Sequence, residues 1–519
     1  MTDRAHETPS QCWTRLDGIK QPFLRRCERY AALTIPKLVL PPGHNHMSTE
    51  QTTDYQSLGA AAVNHLNNRI MLALFRPGDP FFVLDPGKKT KQELAQINMT
   101  AEDLATLLAS KEREAVKVLD QKAIRPKLYQ AGRHLIVTGN TLLELRKSGV
   151  RAQSSDEAPA RVYGLRNFCV KRTATGGVHT IAIHEKLKFD ELEADVRALM
   201  PGKVADSDVS LYRIISRQDD GSFKMIQAVD DVLLPEPFGG KWPEDKLPFR
   251  VLTWDLADEA DYATGLVEEH LGDFEALSAL SESLLDGTIL TTEMRWLVNP
   301  GGITSVEDFR KSINGDAIAG QKGDVEAVNG GDPQAIEMAI RVIELYSSRL
   351  ARAFLLQSAM VRDAERVTAE EIRAIAMELE TAFGGVYSQL GLNWQKPVAH
   401  WCLAEVDMEV RGTDLQVTVL TGLDALSRNT LLEKLRAALG DLAMFETLPD
   451  GLKVRIRWQQ LARFVGNGRG IDLTPFIKDD DEVAEDQKAA QEQQVQTEAG
   501  IAAGQETAAV AAQQGVQSA

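Results

Sequence analysis

The sequence predicts a mixed α+β protein that is mainly helical, and three observations carry this prediction. Apolar residues recur every three or four positions over most of the chain, which is the helical period. A block between about residues 150 and 260 instead alternates apolar with polar residues, as half-buried strands do. The length of 519 residues exceeds what one compact core organises, so two to four domains are expected.

The N-terminal half contains four helical patterns followed by strands. The helical patterns cover residues 14–35, 52–75, 101–124 and 126–147. Two turn sequences, TATGGV at 173–178 and DDGS at 219–222, each lie between alternating segments and therefore predict hairpins. A further strand is expected at 249–255.

Two long helices joined by a glycine-rich connection are predicted after the β region. The first covers Gly265 to about Val298 and would span roughly 45–50 Å if continuous, although Gly272 and Gly287 are points where it can bend. The connection, residues 299–331, begins with NPGG, is rich in glycine and contains short strand-like pieces.

The second long helix begins near Asp332, a favourable N-cap, with Pro333 in its first turn. Its apolar positions follow the i, i+3/i+4 rule: Ile336, Ala339, Ile340, Ile343, Tyr346, Leu350 and Phe354. Charged and polar residues fall on the opposite side: Glu337, Arg341, Glu344, Ser348 and Arg352. The pattern restarts at Thr368 with the capping box TAEE, so residues 357–367 are expected to form a loop or kink.

The C-terminal part is predicted to be helical and then to lack a fold of its own. Residues 414–470 predict helices separated by glycine-containing breaks. From Asp479 onward the chain is acidic and then rich in Ala, Gln and Gly, so it cannot bury enough apolar surface to fold alone. We expect this segment to be mobile, or helical only within an assembly.

The net charge of −17 admits two interpretations. Proteins that grip DNA are usually basic, so the simple interpretation is that the chain binds no nucleic acid. The alternative is a surface past which DNA slides without being held. Four widely spaced cysteines indicate a reducing compartment, and no apolar run predicts a membrane span or a signal peptide.

No motif for catalysis or metal binding stands out. The Gly-Lys pairs are followed by Lys89, Val204 and Trp242 rather than by Ser or Thr, so none completes a Walker A phosphate loop. HEKLK at 184–188 lacks the second histidine of a zinc-protease helix, and the His-x-His pair at 44–46 has no third ligand nearby. We therefore expect no catalytic residue, no metal and no cofactor.

Arginines are frequent in and after the second long helix: Arg341, Arg349, Arg352, Arg362 and Arg366. The simplest interpretation is a solvated helix face with i, i+4 pairing to Glu337 and Glu344. Residue type and spacing alone favour this interpretation over a binding site.

Several long motifs occur in an order typical of one family. The longest are YATGLVEEHLGD at 262–273, LVNPGGIT at 297–304, SRLARAFLLQSA at 348–359, ERVTAEEIR at 365–373 and ELETAFGGVYS at 378–388. Shorter ones are YAALTIP at 30–36, NNRIMLALF at 67–75, VTGNTLL at 137–143 and GLDALSR at 422–428. On these motifs, which cover most of residues 14–480, the chain resembles the head-to-tail connector, or portal, family of short-tailed bacteriophages of the autographivirus type.

The resemblance implies a portal fold with an α/β wing, a stem of two long helices, a small α/β clip and a helical crown. The segments it implies are the N-terminal region and wing 1–265, stem helices 266–298 and 332–356, clip 299–331, tunnel loop 357–367, a long wing helix with its following segment 368–412, crown 413–478, and a tail 479–519 that is either a barrel or disordered.

The resemblance also implies a function in the virion, after assembly in the host cytoplasm. It implies a homo-oligomeric, dodecameric ring at one capsid vertex, through which double-stranded DNA is packaged and ejected and which nucleates capsid assembly. The implied partners are the terminase large subunit, a tail adaptor, the scaffolding protein and the major capsid protein, with no membrane. Cyclic symmetry turns one arginine per subunit into a ring of charge, so the five arginines become candidates for the DNA channel.

Two other functions stay open on the sequence alone. A tail adaptor or internal virion structural protein would lack two paired long helices with a connection between them. A DNA-packaging enzyme would hydrolyse ATP, and the incomplete phosphate loops argue against that chemistry.

Overall fold

The computed structural model describes residues 7–43, 55–76, 80–87, 101–147, 159–329, 333–356, 369–408 and 414–419, together with the single residues 410, 440 and 461. The chain divides into two compact units, Met1–Leu423 and Asp424–Ala519. In the second unit the two described residues, Gly440 and Leu461, are helical. The crown and tail predicted at 413–478 and 479–519 therefore lie almost wholly outside the described residues.

The first unit mixes helices and sheets, as the sequence predicts. Its helices are α1 (Pro9–Ala32), α2 (Leu58–Leu74), α3 (Ala101–Gln121), α4 (Ile124–Thr138), α5 (Ala194–Ala198), α6 (Leu266–Glu269), α7 (Leu271–Thr292), α8 (Val306–Lys311), α9 (Pro333–Ala353), α10 (Ala369–Phe383), α11 (Gly385–Leu390) and α12 (Lys396–Glu405). A π-helical turn, Gly391–Gln395, connects α11 to α12.

The strands are β1 (Phe82–Pro86), β2 (Asn140–Leu145), β3 (Ala160–Tyr163), β4 (Phe168–Arg172), β5 (Val178–Lys188), β6 (Asp208–Arg217), β7 (Phe223–Val229), β8 (Val232–Leu233), β9 (Gly240–Trp242), β10 (Phe249–Thr253), β11 (Met294–Val298), β12 (Val325–Asn329) and β13 (Leu415–Val419). Strands β4 to β8 form one antiparallel sheet in sequence order, with β9 also paired to β7. A second sheet has the order β10-β2-β3, and two strand pairs, β1–β13 and β11–β12, complete the set.

Both predicted hairpins are confirmed. The turn at 173–178 connects β4 to β5, and the turn at 219–222 connects β6 to β7. The strand expected at 249–255 is β10.

The helix predicted at 126–147 is wrong in its second half. Helix α4 ends at Gly139, whose φ of 73° is left-handed and whose N–H donates to Leu135 O at 2.9 Å. The next six residues form β2, and all of them are buried. A strand buried on both faces shows no alternation, so its apolar run is easily taken for the end of a helix.

Two further helix predictions need correction. The first long helix breaks at His270 and ends at Thr292, and Met294–Val298 is a strand rather than the last turns of that helix. The segment at 415–419, predicted as helical, is β13 and pairs with β1. In both cases a partner segment elsewhere in the chain supplies the hydrogen bonds of the strand. At 415–419 the alternating sequence LQVTV is itself a strand pattern, which the helical prediction missed.

A buried ionic network joins the two larger sheets. Arg213 on β6 is 1% exposed and lies between Glu144 of β2 and Glu185 of β5. Its Nη2 donates to Tyr163 Oη at 2.7 Å, and Tyr163 Oη donates to Glu144 Oε2 at 2.7 Å. Burial alone would raise the pKa of Glu144, but Arg213, Arg146 and Tyr163 outweigh that effect and hold the pKa below its usual value.

Replacing Arg213 with methionine tests this network. Arg213→Met leaves two buried carboxylates without their shared partner, so we expect a loss of about 3–5 kcal/mol in the free energy of unfolding. The matched control is Arg217→Met on the same strand, because Arg217 forms an exposed pair with Glu244 at 3.0 Å and should cost about 0–1 kcal/mol. Urea denaturation measures both, and equal losses would contradict the assignment.

Candidate functional site: a helical hairpin and its tip

Helices α7 and α9 pack against each other in opposite directions and form what we call the hairpin. Phe274 and Phe354 meet edge to face at 5.6 Å at one end of it. At the other end, a Cβ added to Gly287 would lie 3.8 Å from Ile336. At about 1.5 Å per residue, the 22 residues of α7 span about 33 Å.

One side of α9 fills the seam between the two helices. Leu350 and Phe354 are fully buried, and Ile336, Ala339, Ile343 and Tyr346 are partly buried on the same side. This confirms the predicted amphipathic pattern with one exception, Ile340, which is 43% exposed.

The base of the hairpin is anchored in the main core, whereas the rest is not. Phe274, Leu277, Leu350 and Phe354 belong to that core, and Arg26 on α1 pairs with Glu268 at 2.9 Å. Beyond the base, no side chain described from residue 279 to 292 or from 333 to 349 is buried. Apart from a hydrogen bond from Tyr55 to Glu282 of α7, the distal hairpin is therefore supported within the chain mainly by contact between its own two helices.

The outer surface of this region is unusually apolar. Of the 23 large apolar side chains that are exposed among the described residues, 13 lie between residues 285 and 345. On the hairpin these are Leu285, Ile289, Leu290, Met338, Ile340 and Leu345. A cluster of exposed apolar side chains of this kind is typical of a surface that contacts another molecule.

The segment between the two helices, residues 294–329, is what we call the tip. Strands β11 and β12 pair antiparallel, from Met294 opposite Asn329 to Val298 opposite Val325. The Trp296 ring meets Phe309 of α8 edge to face at 5.2 Å. The remaining exposed apolar residues of the cluster lie here: Trp296, Leu297, Ile303, Val306, Ile313, Ile318 and Val328.

Asp324 holds the loop of the tip in place. Its Oδ2 accepts from the backbone N–H groups of Ile303 and Thr304 at 3.0 and 3.1 Å, and from Thr304 Oγ1 at 2.9 Å. The hydrogen bond from the Thr304 side chain is the main reason that the pKa of Asp324 is lowered. Gly302 is required beside it, because a Cβ there would lie 2.5 Å from the Asp324 carboxyl.

Three of the five candidate arginines lie on α9 and have protein partners. Arg341 donates to Glu337 at 2.6 Å, which is the i, i+4 pairing that the simpler interpretation predicts. Arg349 reaches Asp273 on α7 at 3.1 Å, and Arg352 Nη2 donates to Ser348 Oγ at 3.2 Å. The structure brings these three together on one helix, and their contact with DNA stays a prediction.

The other two candidates, Arg362 and Arg366, lie outside the described residues, as does the whole predicted tunnel loop at 357–367. Within the described ranges, no group of three or more His, Cys, Asp or Glu side chains is arranged to hold a metal ion. No helix in the same ranges is long and apolar enough to cross a membrane.

Sequence reasoning missed the apolar outer surface and the role of Asp324. A signal for the first was present, since α7 carries apolar residues on more than one side: at about 100° per residue, Leu290 falls almost opposite Phe274. Nothing in the sequence singles out Asp324, because the groups that donate hydrogen bonds to it lie in a loop about 20 residues earlier.

An apolar outer surface on a hairpin anchored only at its base is typical of a structural subunit that contacts other chains. A family model described as "Bacteriophage head to tail connecting protein" matches residues 6–477. The chain thus belongs to the head-to-tail connector, or portal, family of bacteriophages, whose members are structural proteins of the virion.

Curated relatives agree with this membership. The chain is 30% identical to the portal protein of Enterobacteria phage SP6 over 493 residues, which cover 94% of this chain and 92% of that protein. It is 29% identical to the portal protein of Escherichia phage T7 over 95% of this chain and 91% of that one. Identity to the portal protein of Pseudomonas phage phiKMV is 31%, over 96% of each chain.

Solved structures with some similarity come from gene transfer agent particles. A chain of the structure titled "Neck of empty GTA particle computed with C6 symmetry" has a TM-score of 0.38 at 10% identity, covering 74% of this chain and 86% of that chain. A chain of "Neck of native GTA particle computed with C12 symmetry" has a TM-score of 0.32 at 12% identity, covering 78% and 99%.

Two leucines of α9 test the two sides of the hairpin. Leu350→Ala removes a fully buried side chain from the seam and should lower the free energy of unfolding by about 2–5 kcal/mol. Leu345→Ala, five residues earlier on the outer side, should cost less than about 1 kcal/mol in the unassembled subunit. Urea denaturation at low protein concentration measures both; a larger loss for Leu345 would mean that the seam is wrongly placed.

Proposed function

We propose that this chain forms a ring at one capsid vertex that serves as the channel for double-stranded DNA. The observation that carries the proposal is the apolar outer surface of the hairpin and tip. Thirteen of the 23 exposed large apolar side chains of the described residues lie in this one stretch of chain, and such a concentration favours contact with another molecule. Family membership supplies the setting, the junction between the phage head and tail.

Contact between identical subunits would bury such an apolar surface. When one side of a subunit contacts a different side of its neighbour and the rotation closes, a ring results. Burial of apolar surface contributes about 25 cal/mol per Å², so thirteen exposed large side chains supply a substantial driving force. The hairpin then acts as the stem and the tip as the clip, within a dodecameric ring.

The charge of the chain fits a conduit. A net charge of −17 per subunit disfavours tight adhesion of DNA phosphates. Attractive contacts with the DNA phosphates are then confined to rings of arginine side chains, one from each subunit. Arg362 and Arg366 in the predicted tunnel loop are the leading candidates, because the pairs of Arg341 and Arg349 with acidic residues already neutralise much of the charge on α9.

The tip is the part of this arrangement that binds other proteins, one after another. It carries exposed aromatic and aliphatic side chains held on a strand pair, which is a favourable composition for an interface. In this proposal the tip binds the terminase large subunit during packaging and the tail adaptor afterwards. The scaffolding and major capsid proteins contact the ring during capsid assembly in the host cytoplasm.

Two charged substitutions on the outer surface test ring formation. Leu290→Glu and Leu345→Glu each place a carboxylate on an exposed apolar site of the hairpin, so the fold should persist while assembly fails. Circular dichroism should match the wild type, and sedimentation velocity should show unassembled subunits.

The matched control is Leu199→Glu, because Leu199 is also exposed but lies just beyond α5, far from the hairpin in sequence. This variant should sediment as the wild type does. Rings of normal size from both hairpin variants would contradict the proposed interface.

Alanine substitution of the predicted tunnel-loop arginines tests the channel. Arg362→Ala and Arg366→Ala should leave ring assembly intact and reduce DNA packaging or retention, because each removes one positive charge per subunit from the channel. The control is Arg197→Ala, an exposed arginine of α5. Quantitative PCR of nuclease-protected genomes measures the effect, and yields equal to the wild type for both variants would refute the channel-facing assignment.

A further inference from the structure

A cleft of about 760 Å³ lies beside α4 and β3, and no residue of the hairpin lines it. The chain segment that follows α1, residues 37–43, forms one wall of it. Four cationic side chains line the cleft, namely Lys37, Arg133, Arg161 and Arg166, against one carboxylate, Glu185. Such an excess of positive charge is notable in a chain whose net charge is −17.

Two buried nitrogen atoms at this cleft have no hydrogen-bond partner among the residues that the structure describes. His134 is 4% exposed and its Nδ1 is unpaired, and the Nε of Arg133 is likewise buried and unpaired. Burial lowers the pKa of His134 to about 4, so its imidazole is neutral at physiological pH. Buried polar atoms without a partner are rare in folded proteins, and a bound ion or water commonly satisfies those that occur.

The backbone is shaped to keep His134 at the cleft. A Cβ added to Gly164 would lie 2.9 Å from the Cε1 of His134, so a side chain at that position would displace the ring. The position of the His134 imidazole therefore depends on a glycine at residue 164.

Arg161 and Arg166 are held in place and keep donors to spare. Arg161 Nη2 pairs with Glu185, and Arg166 pairs with Glu28 through Nη2 and with Leu40 O through Nε. Among the described residues, Nε and Nη1 of Arg161 and Nη1 of Arg166 have no hydrogen-bond partner. A guanidinium fixed by one carboxylate and free on its other edge suits the binding of an oxyanion, because little side-chain entropy is lost.

We infer that this cleft binds a small phosphate-bearing anion of up to nucleotide size. Glu185 pairs with Arg161 and Glu28 pairs with Arg166. Among the described residues, the cleft therefore keeps the unpaired positive charges of Lys37 and Arg133, which favour an anion. The planar donors of arginine match the oxygens of a phosphate. The volume lies within the range of small-molecule sites. Leu38, Pro41 and Val162 give the cleft an apolar wall on which a nucleoside can rest.

Isothermal titration calorimetry of the purified full chain tests the inference, with pyrophosphate and deoxyadenosine diphosphate as probes at constant ionic strength. Each should bind saturably at one site per chain. Similar affinity for the two probes means that the phosphates alone are recognised, and tighter binding of the nucleotide means that the apolar wall contributes.

Two variants locate the site. Lys37→Glu reverses an exposed charge at the rim, and Arg133→Gln removes a charge beside His134; each should weaken binding at least ten-fold. The matched control is Lys224→Glu, an exposed lysine of β7 that is not part of the cleft, and its affinity should equal that of the wild type. Because Lys37 is exposed, its variant keeps the fold and the test stays decisive even if Arg133→Gln is unstable.

Three results would overturn the inference. One is the absence of saturable binding of either probe at millimolar concentration. Another is equal weakening by Lys224→Glu and Lys37→Glu, which would indicate general charge screening. The third is binding of duplex DNA that neither probe displaces, together with no binding of the probes themselves.

Discussion

The seam between α7 and α9 is the contact on which the hairpin, and with it the proposed ring, depends. The two helices have few other supports beyond their base, where Phe274, Leu277, Leu350 and Phe354 join the main core. The seam buries only the apolar side chains on the inner sides of the two helices. The apolar side chains on the outer sides therefore stay exposed while the hairpin remains folded. A subunit built in this way is stable enough to fold and still has apolar surface left for its neighbours.

The rest of the first unit gives the hairpin a rigid base. The network around Arg213 connects the two larger sheets through buried charges of opposite sign. Such a network contributes less to stability than apolar packing of equal volume would, but it penalises any arrangement in which a charge loses its partner. Arg26 then links α1 to Glu268 of α6, the short helix just before the hairpin.

Much of this architecture could be predicted from the sequence, because many elements have local signals. The side of α9 that faces the seam, the hairpins at 173–178 and 219–222, and the family itself follow from periodicity, turn residues and motif order. The errors share one physical cause. Strands β2, β11 and β13 are only five or six residues long and pair with segments elsewhere in the chain, so each was absorbed into a neighbouring helical pattern.

The candidate site was less accessible to sequence reasoning than the fold. Arginine positions are visible in a sequence, but their partners are not, and Arg349 turned out to bridge to Asp273 on the other helix. The cleft around His134 was also invisible, because it combines a segment after α1, one face of α4 and the β3–β4 connection. The exposure of apolar side chains, from which the interface is proposed, is a property of the folded subunit and cannot be seen in the sequence.

The central claim is that identical copies of this chain close into a ring through the hairpin and tip. Native mass spectrometry of the purified wild-type chain, combined with class-averaged electron micrographs, tests it most directly. We expect one dominant mass, a whole multiple of the subunit and close to twelve copies, and end views with a central channel. A stable monomer under all conditions, or particles without a channel, would contradict the account.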